Sequence, residues 1–356
     1  MEISVHIEGI KSAGDVCKSS IVIRPPLTVR TSNTESFLQG SPGLKLNEFQ
    51  FDSIEIHAIK NCFMLPTGAI ITHDGWVIAE TLEGSLVDNG MSTDRPLTLP
   101  INNHFKEPIY CTSKFGTFNY SVFLHEVLPA IYVAGLRPDL SSGFTLGYAA
   151  FVPQQKQDKF KELYAPFYPP AFAVNISGRT SVCSEALILS TGARRHNLQR
   201  IKRVMPPMMA EFALSLDPNI QDAPERIYVL RERKSIRELE NRERIILWAH
   251  ENGFVCVELA DLSFSAQASY FRNASVIFAE HGAGLANLWH CRKGVKIFEI
   301  FPDKLWGRWL YRAIANLSGF EYAADMIPTG EDWIWNKDSV LLPSQTLDRG
   351  LKHFSL

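Results

Sequence analysis

Along the second half of the chain, short apolar runs alternate with stretches whose apolar positions recur every three or four residues, a pattern of buried strands between amphipathic helices. RIYVL (Arg226 to Leu230) predicts a strand. NRERIILWAHENG predicts a helix, with Asn241 as cap, Ile245, Trp248 and Ala249 on one face, and Gly253 just past its end. FVCVEL is a second strand, and DLSFSAQASYFRNA a helix capped by Ser263. SVIFA (Ser275 to Ala279) is a third strand, HGAGLANLWH opens another helix, and VKIFEI (Val295 to Ile300) is the fourth strand. RWLYRAIANLSG then stops at Gly319. Strands joined by helices of about ten residues make a parallel sheet covered on both faces, hence a doubly wound α/β domain.

The first half is less regular. Phe49 to Ala79 alternates in the manner of two or three strands punctuated by Pro66, Gly68 and Gly75. FNYSVFLHEVLPAIYVAGL reads as helix until Pro129, and FAVNI and ALILS read as strands. A basic stretch from Arg194 to Arg203, ending near Pro206 and Pro207, is the natural connection, so the domains are read as 1–200 and 201–356.

Composition narrows the function classes. With 36 Lys plus Arg against 38 Asp plus Glu, no global field holds nucleic acid, and any anion must be bound locally. The six cysteines are spread singly, without zinc spacing, which suits a reduced, cytoplasmic protein. No signal-like N-terminus and no run of about 18 apolar residues occurs, so no transmembrane segment is expected; the balanced charge gives no field for an anionic membrane, and peripheral membrane association is left open as a partner.

Chemistry concentrates at the carboxyl ends of the predicted strands, where ligands of open α/β sheets lie. His281, Gly282, Ala283 and Gly284 stand where a strand enters a helix, a place at which backbone N–H groups and two glycines can meet a diphosphate. The pattern is G-x-G-x-x-N and lacks the third glycine of the dinucleotide fingerprint, so hydride transfer is disfavoured; the spacing alone equally fits a tight turn without ligand. Glu299, near the end of the fourth strand, is placed either to accept from ribose or sugar hydroxyls or to pair with an arginine. Asn287 suits the loop or the ligand, whereas Glu280 reads as structural. Arg194, Arg195, His196, Arg200, Lys202 and Arg203 form either a solvated connection or a surface for an anionic glycan, and Trp306, Trp309, Trp333 and Trp335 could stack on sugars or pack in a core.

The run DLSFSAQASYFRNASVIFAEHGAGLANLWHCRKGVKIFEIFP resembles the C-terminal region of glycosyltransferase family 61, RIYVLR matches the strand opening that region with Arg231 at its usual arginine, and FGTFNYSVFLHEVLPAI is similar to the family's first motif. Val122 stands where that motif usually has His, and Lys293 replaces a common Pro. The resemblance implies a GT-B architecture, two Rossmann-like doubly wound α/β domains facing a cleft, with an acceptor-side N-terminal domain and a nucleotide-sugar-binding C-terminal one. It implies an inverting enzyme that moves a hexose or pentose from a UDP-, GDP- or CMP-type donor to a saccharide or glycolipid acceptor, in bacterial capsule or lipopolysaccharide assembly. No D-x-D pair for a metal-bound diphosphate occurs, so neither metal nor other cofactor is expected. Arg231, His281, Gly282, Ala283, Gly284, Asn287 and Glu299 become the donor-binding candidates, with His125 and Glu126 as the acceptor's general base. The rival readings are a nucleotide-sugar epimerase and a noncatalytic nucleotide-sugar or glycan-binding relative.

Overall fold

A computed structural model describes residues 2–17, 20–24, 27–30, 36–37, 48–51, 53–81, 96–113, 119–147, 154–176, 178, 180–190, 223–233, 237–305, 310–334 and 337–356. The chain divides into two compact units: Met1–Thr28 with Gln50–Phe212, and Val29–Phe49 with Ala213–Leu356. The basic run from Arg194 to Arg203 and Trp306, Trp309 and Trp335 lie outside the described residues. Among the described residues, no helix is long and apolar enough to cross a membrane.

The first unit is built on one mixed sheet. Its strands in chain order include β1 (Ile54–Met64), β2 (Ile70–Thr72), β3 (Trp76–Ile78), β4 (Ile109–Tyr110), β5 (Phe144–Leu146), β6 (Ala173–Asn175) and β7 (Thr180–Ser190). Their spatial order is β6-β5-β4-β7-β1-β2-β3. From β6 to β7 the neighbours are parallel; from β7 to β3 they are antiparallel. The sheet therefore departs from a uniform doubly wound pattern, for a local reason. Connections of five and three residues join β1 to β2 and β2 to β3, too short for a parallel crossover. Gly75 turns the second of them at φ +86°, where a Cβ would strike the His6 carbonyl at 2.0 Å.

After β4 comes the first-motif segment, where the sequence predicts a helix ending at Pro129. The helix instead continues as α1 (Leu128–Leu136), because Phe123–Val127 forms a wide π-turn in which the Leu128 N–H reaches the Phe123 carbonyl. A proline supplies no N–H and its ring crowds the carbonyl four residues back; one extra residue in the preceding turn accommodates it. Asn119 starts this segment by accepting from the N–H groups of Ser121 and Val122. Helix α2 (Gln154–Tyr164) follows β5.

In the second unit, β8 (Arg226–Leu230), β9 (Val255–Glu258), β10 (Val276–Glu280), β11 (Lys296–Pro302) and β12 (Glu321–Ile327) form a wholly parallel sheet. The order is β9-β8-β10-β11-β12, and the short strand Ser36–Phe37 pairs parallel to the outer edge of β12. Helices α3 (Arg242–Glu251), α4 (Phe264–Asn273), α5 (Leu310–Ser318) and α6 (Ser344–Phe354) belong to the same unit. Ser263 caps α4 as expected, accepting from the Ala266 N–H. Asn241 does not cap α3: its side chain donates to the Leu342 carbonyl and accepts from the Leu342 N–H. Gly253 ends α3 at φ +74°. The core on one side of the sheet stacks Trp248, Phe254, Phe278 and Phe298 in ring contacts of 4.8 to 6.0 Å.

Candidate functional site

Among β8 to β12 the strand that comes first in the chain, β8, has β9 on one side and β10 on the other. The helical connections thus leave in opposite directions at β8 and β10, opening a crevice beyond their carboxyl ends. Two stretches meet there: Arg231 directly after β8, and His281 to Gly284 directly after β10. The expected helix after the motif is a 3₁₀ helix, Ala283–His290, entered from Gly282 in extended conformation (φ −178°).

Neither glycine is needed for its backbone angles. At Gly282 a Cβ would lie 2.6 Å from Arg231 Nη1, so the missing side chain is the space the guanidinium occupies. From there Arg231 Nη1 donates to the His281 carbonyl at 3.1 Å, and Arg237 Nη1 donates to the same oxygen at 3.3 Å. At Gly284 a Cβ would meet Leu259 Cδ1 at 2.9 Å and Val229 Cγ1 at 3.2 Å, so that glycine seats the turn on the sheet. Asn287 is fully buried, and its amide donates to Gln267 Oε1 at 3.0 Å and to the Gly284 carbonyl at 3.1 Å. Its side chain holds the turn in shape.

His281 is fixed from both ends. Its N–H donates to the Ile300 carbonyl at 2.8 Å, extending the β10 to β11 pairing by one residue. Its Nδ1 lies 2.6 Å from Glu299 Oε1, while the Tyr322 hydroxyl donates to Glu299 Oε2 at 2.6 Å. An ionised carboxylate only accepts, so Nδ1 carries the proton and Nε2 is the nitrogen turned away from the pair. The ring stacks on Phe301 at 4.8 Å and lies 5.5 Å from Tyr311.

Glu280 occupies the opposite face of the sheet from Glu299, because Ala279 is the register partner of Glu299 and side chains alternate along β10. Its Oε1 accepts from the Tyr228 hydroxyl at 2.9 Å, and its buried Oε2 has no hydrogen-bond partner. Burial pushes this carboxyl up to about 7, against the opposing pull of the Tyr228 hydrogen bond and of Arg231, Arg242 and Arg237. Burial likewise lowers the Arg231 guanidinium from its ordinary value. Arg242 reaches the Arg231 carbonyl and pairs with Glu258. Arg231, Arg237, Glu280 and His281 line one pocket, walled by Leu239, Ile300, Pro302, Ile327 and Val340.

In the first unit, His125 lies inside the π-turn at 1% exposure, its Nδ1 3.2 Å from the Ser121 hydroxyl. Burial pulls its imidazole down to about 4. Glu126, the next residue, is half-buried. Trp333 packs against the second unit's core and donates through Nε1 to the Ser339 carbonyl.

Tyr228, Tyr322 and Arg237 were not singled out by the sequence. The two tyrosines did carry a signal: a phenol in an otherwise apolar strand needs a partner once buried, and carboxylates stand on neighbouring strands. Arg237 sits among the charges of RERKSIRE, and nothing in that run distinguishes it from its neighbours.

A family model described as Glycosyltransferase 61 matches residues 120–298, half of the chain, from the π-turn segment to the strand bearing Glu299. No curated protein gives a significant match.

Proposed function

The chain belongs to glycosyltransferase family 61, and on that footing we propose an inverting enzyme, working without a metal ion, that moves a sugar from a UDP-, GDP- or CMP-type donor to a saccharide or glycolipid acceptor. Its setting in this reading is the bacterial cytoplasm, where capsule or lipopolysaccharide chains are assembled. In an inverting displacement the acceptor oxygen attacks the anomeric carbon opposite the nucleotide, the bond to the diphosphate breaks, and the acceptor's proton passes to a base. Negative charge then grows on the departing diphosphate, and cations already in place lower that barrier most.

The observation that carries the reading is the convergence of Arg231 and Arg237 on the His281 to Gly284 turn, at the switch point of a parallel sheet. Arg231 and Arg237 serve the diphosphate, and His281 directs Nε2 to it while Glu299 and Tyr322 hold the ring. On the acceptor side the base is Glu126, since the burial that keeps His125 neutral also keeps it from a substrate hydroxyl. Turnover of UDP-, GDP- and CMP-sugars with and without excess EDTA tests the proposal. Activity that survives chelation and falls in Arg231→Ala supports it; complete loss with EDTA, restored by Mn²⁺ or Mg²⁺, overturns metal independence.

A further inference from the structure

Glu280 faces the pocket that Arg231, Arg237 and His281 share, yet it has no part in the displacement itself. Glu280 is 8% exposed; its Oε1 accepts from the Tyr228 hydroxyl at 2.9 Å, and among the described residues Oε2 has no hydrogen-bond partner. The polar groups around this carboxyl come from several neighbouring elements. Strand β8 supplies Tyr228, the segment after it supplies Arg231 and Arg237, β9 supplies Cys256, and α3 supplies Arg242 with its partner Glu258 of β9. Ile300 of β11, Ile327 of β12, Leu239 and Val340 line the pocket without charge.

A buried carboxylate keeps its charge only while nearby cations offset the hydration it has lost. Here burial and the guanidiniums nearly balance, which leaves the carboxyl at about 7. Burial pushes the Cys256 thiol up to about 11 and the Tyr228 hydroxyl well above its ordinary value, so neither gives up a proton near neutrality. The balance at Glu280 therefore rests in part on Arg231 and Arg237, the same two side chains that serve the diphosphate. The pocket has a volume of about 10 Å³, the room of a single water, so no phosphate group enters it. A nucleoside diphosphate sugar meets the two half-buried arginines from their solvent side. Its negative charge draws on the positive potential that keeps Glu280 ionised, and burial then prevails. A proton from solvent binds Oε2, the oxygen without a partner, and the carboxyl becomes neutral. Two guanidinium charges no longer offset by Glu280 then face the diphosphate as the anomeric bond breaks.

We propose that Glu280 is a positioning residue of the donor site: its carboxylate balances Arg231 and Arg237 in the free protein and takes up a proton at Oε2 when a nucleoside diphosphate sugar binds them. The inference rests on the donor reading above and deepens it, since it couples a proton to the binding step.

Calorimetric titration of the full chain with UDP-glucose and GDP-mannose, in buffers of different ionisation heat, counts the protons taken up on binding. Both probes are diphosphate diesters, which neither gain nor lose a proton near neutrality. At about pH 7.5 the wild type should absorb on the order of half a proton per nucleotide bound, and Kd should rise with pH above about 7, by at most about tenfold per unit for one linked proton. Glu280→Gln, which can still accept from Tyr228, should bind without uptake and with a Kd that stays flat over that range. Tyr228→Phe removes a hydrogen bond that favours the carboxylate, so Glu280 is already protonated before nucleotide arrives and uptake shrinks at the same pH. It decides the matter if melting shows that Glu280→Gln does not fold. Nucleotide binding without uptake in the wild type overturns the proposal, as does uptake unchanged in whichever of the two variants folds. Uptake kept in Glu280→Gln and lost in His281→Gln assigns the proton to the imidazole and overturns it as well. In each of these cases the donor site stands. If neither nucleotide sugar binds the wild type, the donor reading falls and the proposal falls with it.

Discussion

His281 Nδ1 and Glu299 Oε1 lie 2.6 Å apart, with Glu299 fully enclosed and its second oxygen taken by the Tyr322 hydroxyl. The carboxylate accepts from both partners, so it fixes the tautomer of the ring as well as its direction. Glu299→Gln retains the shape and can still accept from Nδ1, because the tyrosine hydroxyl can rotate to accept from the amide. It removes the negative charge behind the ring. The expected outcome is a folded protein with kcat reduced on the order of 10², while His281→Ala loses at least as much. Steady-state kinetics beside a melting curve checks this. Normal turnover in both variants removes the pair from the reaction.

The two motif glycines predict opposite phenotypes. A methyl group at Gly282 collides with the tip of Arg231, which can swing aside, so Gly282→Ala should fold normally and imitate Arg231→Ala in transfer. The same change at Gly284 meets Leu259 and Val229, which are packed on the sheet. That variant should lose about 1–3 kcal/mol of stability. Denaturant melts and kinetics on the two variants separate the effects.

Glu280 predicts an unusual pH dependence. The unfolded chain releases this proton near 4.5, whereas the native protein keeps it up to about 7. Between those values the native state binds more protons, so the contribution of Glu280 to stability is fully present below about 4.5 and is lost as pH rises through about 7. The difference of some 2.5 pH units corresponds to about 3 kcal/mol. Glu280→Gln should therefore gain stability relative to wild type as pH is raised from about 4.5 to about 7, read from urea midpoints across the range. A constant difference refutes it.

His125 has the opposite sign. Its imidazole is held down at about 4 against 6.5 in the unfolded chain, so the native state refuses a proton that the unfolded chain accepts. Stability falls as pH drops from about 6.5 towards about 4, by about 3 kcal/mol in all. His125→Gln should flatten that limb without abolishing transfer, whereas Glu126→Gln should spare nucleotide binding and slow transfer by roughly 10². Transfer lost in His125→Gln and kept in Glu126→Gln would reverse the assignment of the base.

The second unit was legible because period and punctuation agree there: RIYVL, FVCVEL, SVIFA and VKIFEI each become a strand, and Ser263 and Gly253 mark helix ends where side-chain chemistry and φ require them. Asn241 misled because a cap residue is recognised by type, while its partner, Leu342, is 101 residues away. Pro129 misled for a related reason. A proline forbids the ordinary helical hydrogen bond but tolerates a wider turn before it, and nothing local in LHEVLP announces that extra residue. Of the candidate site, the positions of Arg231, His281 and Glu299 were readable from strand ends. The enclosure of Asn287 and the pairing of Glu280 with Tyr228 depend on packing between strands, which periodicity does not encode.

The pairing of Ser36–Phe37 with Ala323 and Ala324 also bears on how the protein is made. Some 287 residues separate Ser36 from its partner, and a ribosome adding about 5–20 residues per second needs on the order of 15–60 s to cover them. For that interval the early strand has no edge to join, and the second sheet closes only when nearly the whole polypeptide has emerged. A fragment begun at residue 213 would leave the outer side of β12 uncovered, an open ladder of the kind that recruits another chain.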